Sequence, residues 1–286
     1  MKKLFLLFLA AGFISALRAQ TPSDTTIYWE KGGSYTINLT QVSLTNWAAG
    51  GQNSISGVTK LQLFANYKKD NTSWDNSIEL GYGLSKVEDL ATQKNEDIID
   101  LQSKLGIKAS GKWNYSASLA FKSQFAPGYS DAANTIKTSN LFAPAYLTLA
   151  LGMDYKPSKV FSLMLSPASG KLTIVADEDI DALNYGLSTS DATTRLELGA
   201  SLNALLKTPV VKNVGLTSEL SLFSNYLDNP QNVDVDWKAG ITMKINDYLS
   251  AQIDTRLVYD ADILDENGDA KVQFKELLGV GLNIKF

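Results

Sequence analysis

The 286-residue chain contains no cysteine and no histidine. Without cysteine there are no disulfides, no thiol chemistry and no structural zinc of the usual kind. Without histidine, most serine, cysteine and metal-hydrolytic sites lose the imidazole they depend on, so an enzyme is not expected. Paired carboxylates such as Glu197 and Glu219 suit acid–base work in principle, but no spacing favours that over a salt bridge. Beyond an N-terminal apolar stretch, no run approaches the ~18 consecutive apolar residues of a membrane helix. A net charge of −4 is too mild to imply a nucleic-acid partner. Gly50-Gly51 has no following Lys-Ser/Thr, so a phosphate-cradling loop is excluded and no cofactor is expected.

What the chain does have is 44% hydrophobic residues, laid down in alternation. In VQFKELLGVGLNIKF, the stretch from Val272 to Phe286, Val272, Phe274, Leu278, Val280, Leu282, Ile284 and Phe286 recur at every second place, broken only by Glu276. Period two means a β-strand with one greasy and one wet face. Residues 1–19 carry Lys2 and Lys3, an apolar core and Ala19, the pattern of a cleaved secretory signal peptide. Residues 20–33 read as a polar periplasmic lead-in, with Tyr28 and Trp29 as interface anchors. Residues 34–286 read as the barrel.

Alternating segments then repeat to give about twelve strands, an even number as in bacterial outer-membrane barrels. Short turns at Asp70, Gly111, Pro157, Thr208 and Asp247 interleave with longer connections near Gly50, Asp89, Ala132, Asp181, Asn229 and Asp265. The longer ones include a polar loop over 88–96, a loop over 127–142 and a loop over 168–192. Pro167 ends a strand or marks a bulge, and a short strand falls at 172–175. Tyr67, Trp74, Trp113, Tyr155, Phe161, Tyr248 and Phe286 lie near the short-turn ends. Trp47, Tyr82, Phe125, Phe142, Tyr226, Trp237, Tyr259 and Phe274 lie near the long-loop ends. Two aromatic belts around an aliphatic band suit a bilayer. The fold class expected is therefore all-β: a transmembrane antiparallel up-and-down β-barrel of about 12 strands, with both termini periplasmic.

The wet faces would line the lumen with Lys60, Glu79, Lys104, Lys122, Arg195, Glu197, Glu219, Asp236, Lys238, Asp254 and Arg256, and with Gln62, Asp75, Asp100, Lys108, Asp154 and Lys244. Around eight strands fill their own interior and sixteen leave a channel; about twelve lies between. Two functions stay open. One is a narrow passive channel for small polar solutes or ions. The other is a closed structural barrel that presents the 127–142 and 168–192 loops to a partner. Asp265, Asn267, Asp269 and Glu276 match four calcium-loop spacings, but Ala270 stands where that loop requires Gly, so a solvated acidic loop is expected there and no metal. Asp177, Glu178, Asp179 and Asp181 read the same way.

Three motifs carry a resemblance: Asn46-Trp47-Ala48-Ala49-Gly50-Gly51-Gln52-Asn53-Ser54; Trp113-Asn114-Tyr115 with Gln124-Phe125 and Gly128-Tyr129; and Phe142-Ala143-Pro144-Ala145-Tyr146. Together they resemble an uncharacterised outer-membrane family of the Bacteroidota, catalogued only as a domain of unknown function (DUF3078-like), over nearly the whole mature chain. The resemblance implies location and barrel architecture and supplies no catalytic or binding residues. A terminal strand ending on Phe286 looks like the signal read by the barrel-assembly machinery. Outer-membrane lipid and lipopolysaccharide are the other expected partners.

Overall fold

The structure, a computed structural model, describes residues 28–44, 52–263 and 269–286. The signal-peptide stretch, Trp47, the Gly50-Gly51 turn, Asp265 and Asn267 lie outside the described residues. The strands are β1 (Trp29–Val42), β2 (Ser54–Lys69), β3 (Thr72–Val87), β4 (Gln93–Ser110), β5 (Trp113–Ser123), β6 (Gly128–Tyr129) and β7 (Lys137–Ser139). They continue as β8 (Ala145–Tyr155), β9 (Phe161–Ile174), β10 (Thr194–Val211), β11 (Val214–Asn225), β12 (Asp234–Lys244), β13 (Leu249–Tyr259) and β14 (Gln273–Lys285). All but β6 and β7, which form a small hairpin, close into one antiparallel twelve-stranded barrel in chain order. No helix among the described residues is long and apolar enough to cross a membrane.

Closure follows from the alternation. A strand with one apolar face cannot leave its other backbone edge bare in hydrocarbon, and a closed ring removes every edge. Strands of 11 to 18 residues meet or exceed the ~9–11 needed to cross a bilayer. The usual arrangement of a globular protein is inverted: Leu149, Leu151, Leu196, Leu198, Leu278 and Val280 stand half-exposed on the outside, while Asp154, Glu197 and Asp100 are buried. Trp29, Tyr67 and Trp74 stack along the short-turn end at 5.2 and 5.9 Å between ring centroids, and Trp113 lies 4.9 Å from Tyr155.

Several boundaries differ from the sequence reading. Strand β1 begins at Trp29, so residues 29–33 belong to the barrel instead of a lead-in; Lys31 and Gly32 pair with Ala65 and Phe64. Strand β4 begins at Gln93, which shortens the 88–96 loop to 88–92. An extra residue, Asn95, bulges there between the Gly83–Glu96 and Leu84–Lys94 pairs and breaks the alternation. Strand β9 runs unbroken to Ile174, so 172–175 is no separate strand and the following loop is 175–193. Pro167 and Ala168 form a bulge within β9: Gly199 faces Ser169 while Ser201 faces Ser166. Pro167 has no N–H to give, so the ladder steps around it. Only a glycine fits opposite, because a Cβ on Gly152 would sit 2.0 Å from the Leu165 carbonyl oxygen. Strand β10 runs through Pro209, so its turn falls at Lys212-Asn213, where Asn213 takes φ 66°. The closing seam is short: β1 and β14 pair over five residues, from Ser34–Lys285 to Asn38–Gly281.

Candidate functional site: a cross-braced lumen beneath a loop cap

The inward faces meet across the barrel. Lys238 on β12 and Asp100 on β4 are six strands apart in either direction round the ring, yet their charged atoms are 2.7 Å apart. Lys122 on β5 reaches Asp236 on β12 at 2.7 Å, and Arg256 holds the same carboxylate with two N–H bonds of 2.9 and 3.0 Å. Lys60 bonds Asp254 at 3.0 Å and Glu96 at 3.4 Å, and Lys275 reaches Glu96 at 2.6 Å. Towards the short turns, Lys104 pairs with Asp154 at 3.1 Å and Lys156 with Asp75 at 2.5 Å. Towards the long loops, Lys171 joins Glu197 and Asp234, and Arg195 joins Asp262 at 2.6 Å. Lysine and arginine suit this work because their long stems span the hollow before the charge arrives. Two side chains meeting from opposite walls place an ion pair across the lumen at that level.

Each of the eleven lumen candidates has a definite position. Lys60, Lys104, Lys122, Arg195, Glu197, Asp236, Lys238, Asp254 and Arg256 all enter these bridges. Glu79 sits on the same face, cross-strand from Gln62 and Asp100, and Glu219 sits cross-strand from Lys238. Neither makes an ion pair among the described residues. Sequence reading misses Glu96 and Lys171, because both fall in stretches that read as loop. It finds the charged face but not the partners, since pairings across a barrel depend on strand stagger.

Above the bridges, the 124–144 and 175–193 connections fold together. Ala143, Val175, Ile180, Ala182 and Leu187 form a small apolar core with Tyr185 and Ala192 against it. Asp181 caps a short 3-10 turn over Ala182–Tyr185 by accepting from the Leu183 N–H. The Tyr185 hydroxyl donates to the Thr138 carbonyl oxygen, and burial pushes its phenol up to about 12. Lys137 bridges Asp179 at 2.6 Å and Asp177 at 3.2 Å. Those two acceptors raise the Lys137 ammonium above its ordinary value. An amide bond from Asn140, with lesser help from the Asp179 N–H and Lys137, lowers the Asp177 carboxyl. Backbone N–H bonds from Ile136 and Thr135 do the same for Asp131. Gly186 lies against Asp262 beyond β13, three strands round from β10, so the cap reaches over the mouth to the far wall. There Arg195 ties the Gly186 carbonyl to Asp262. The acidic run at 177–181 thus serves the cap's own contacts, and no group of metal-ligating side chains occurs among the described residues.

An apolar outer belt, two aromatic rims and a charged interior define a membrane-spanning β-barrel. A family model described as "Protein of unknown function (DUF3078)" matches residues 39–129. That match takes in the first two resembling motifs and stops short of the third, Phe142 to Tyr146. No curated protein matches the sequence. Among solved structures, the COG4313 outer membrane channel from Pseudomonas putida F1 is 14% identical, with TM-score 0.42 over 94% of this chain and 100% of that one. The NanC porin is 8% identical, with TM-score 0.41 over 88% and 98%. Outer membrane phospholipase A from Escherichia coli is 10% identical, with TM-score 0.38 over 95% and 97%. None of these lends a residue role to this chain.

Proposed function

We propose that the chain is an integral outer-membrane barrel, exported through a cleaved signal peptide, with both termini periplasmic. Its lumen is an ion-pair-latched conduit that passes only small polar solutes or ions, and passes them when the latches part. The observation that carries this reading is the Lys238–Asp100 bridge from opposite walls, backed by Lys122–Asp236–Arg256 beside it. An open pore keeps its charges on the walls with water between them; here they meet. The eleven candidate residues act as latch and lining, and catalysis has no part in this reading. Passage requires an ammonium–carboxylate contact to exchange for water, which a partly wet lumen allows because the desolvation cost is incomplete.

Planar-bilayer recording of the refolded chain tests this. Brief, low-conductance openings are expected, with Asp100→Asn plus Asp236→Asn giving longer and larger ones. A steady porin-sized current from the unaltered chain would contradict the latch. One observation favours the second reading, a barrel that presents its loops to a partner: the ordered apolar core of the cap. Silence from both the unaltered chain and the double variant would select that reading. The terminal strand ending on Phe286 is the segment proposed to engage the assembly machinery, and deletion of Phe286 should lower the folded yield in cells.

A further inference from the structure

The short-turn rim carries charge of a different kind from the lumen. Lys69, Lys112, Lys159 and Lys212 sit in or beside four of the five turns, and Lys244 stands at the fifth. Lys31 and Lys285 continue the series across the β1–β14 seam. All seven are exposed, and among the described residues only Lys244 is paired with a carboxylate, Asp247 at 2.7 Å. The exposed side-chain carboxylates there, among the described residues, are Glu30, Asp70 and Asp247, too few to balance them. The lumen lysines are paired with aspartates and glutamates of the barrel wall.

We infer that this rim is a binding belt for glycerophospholipids with anionic headgroups, in the leaflet that the short turns face. Three observations fix the occupant. First, the lysines recur at every turn round the circumference. A folded protein docks on one side, whereas a lipid leaflet surrounds the barrel. Second, they share this end of the barrel with the aromatics Trp29, Trp74, Trp113 and Tyr155, which mark headgroup depth. Lys31 Nζ lies 5.8 Å from the Trp29 ring and Lys69 Nζ 4.9 Å from the Tyr28 ring. Third, three of the five turns are two residues long, so nothing projects to hold the ammonium groups away from the phosphates. The opposite rim has the reverse character, with Glu88, Asp89, Asp131, Asp177, Asp179 and Asp228 on its loops. Cationic residues at an anionic surface attract it from within a Debye length. The inference rests on the membrane placement proposed above, and the following experiment separates the two.

The full chain, with Trp47→Phe and Trp237→Phe, keeps three tryptophans, Trp29, Trp74 and Trp113, all at the short-turn rim. It is refolded into vesicles of equal phosphatidylcholine and phosphatidylglycerol, with one lipid or the other brominated near the head of its acyl chain. Brominated phosphatidylglycerol should quench roughly two-fold more than brominated phosphatidylcholine at low salt, and no more than it at ~1 M salt, where screening shrinks to ~3 Å. Lys69→Gln, Lys112→Gln, Lys159→Gln and Lys212→Gln together should remove the preference and leave phosphatidylcholine quenching unchanged, which also reports intact insertion. Equal quenching at low salt overturns the inference and leaves the membrane placement standing. So does a preference that survives in the glutamine variant, or one that transfers to lipid A phosphates when both lipids are present. No quenching by either lipid overturns the membrane placement itself.

Discussion

Lysines in the lumen and lysines at the short-turn rim are the same residue under opposite rules. Lys60, Lys104, Lys122, Lys171 and Lys238 have side chains at most 27% exposed, and each touches a carboxylate within 3.1 Å. Lys69, Lys112, Lys159 and Lys212 are exposed and pair with none among the described residues. The difference is one of solvent. Inside a narrow barrel a bare ammonium cannot recover its hydration, so the sequence supplies a carboxylate on the facing wall. At the rim, water and lipid phosphates serve, and an intramolecular partner would add little.

The comparison can be broken from the lumen side first, where the effects are largest. Asp100→Asn leaves Lys238 facing a neutral amide in a buried setting and should cost about 2 kcal/mol of stability, read as a lower urea midpoint for unfolding from vesicles. The same variant should raise the frequency of open events in bilayer recordings. Asp236→Asn frees both Lys122 and Arg256 and should act in the same direction on both readouts.

Next comes the cap. Tyr185→Phe removes the hydroxyl that donates to Thr138 and should loosen the cap by about 1 kcal/mol, seen as faster hydrogen exchange at Thr138 to Asn140 with no change in the strands. Lowered pKa values give a smaller effect still. Asp177 and Asp131 have folded values below the ordinary carboxylate range, because hydrogen bonds to each charged form favour it. Their contribution is complete above the unfolded value of about 4 and is lost as pH falls through the depressed folded one. Protection of the cap amides, measured against their intrinsic exchange rates at each pH, should therefore fall in that acid window and hold level above it. Smallest of all, Lys112→Gln at the rim should move the unfolding midpoint by less than about 0.5 kcal/mol; a larger loss would mean that the rim lysines have partners within the protein.

Much of this architecture is legible in the sequence, for a physical reason. A strand between lipid and a wet hollow must alternate at every step, so β12 and β14 announce themselves. Legibility fails where alternation does. Asn95 bulges out of β4, and the polar residues around it read as loop although Lys94 and Glu96 belong to the wall. Pro167 and Ala168 bulge out of β9 and split one strand into an apparent strand and fragment. Glu30-Lys31-Gly32-Gly33 has the composition of a linker, yet its ladder to β2, from Glu30–Asn66 to Gly33–Leu63, and the Gly33–Phe286 backbone bonds hold it in β1. The site divides the same way. Charged residues at alternate positions identify the inner face from local pattern alone. That Lys238 meets Asp100, or that Gly186 lies on Asp262, depends on barrel closure and loop reach, which no local pattern encodes.

The latch is tested most directly by a charge swap between the two walls. Asp100→Lys with Lys238→Asp restores a bridge of reversed polarity at the same place. Bilayer recordings should show Asp100→Asn opening the lumen and the swapped pair returning it to the low conductance of the unaltered chain. If the swapped pair stays as open as Asp100→Asn, or if none of the three differs from the others, the lumen is not held shut by that contact.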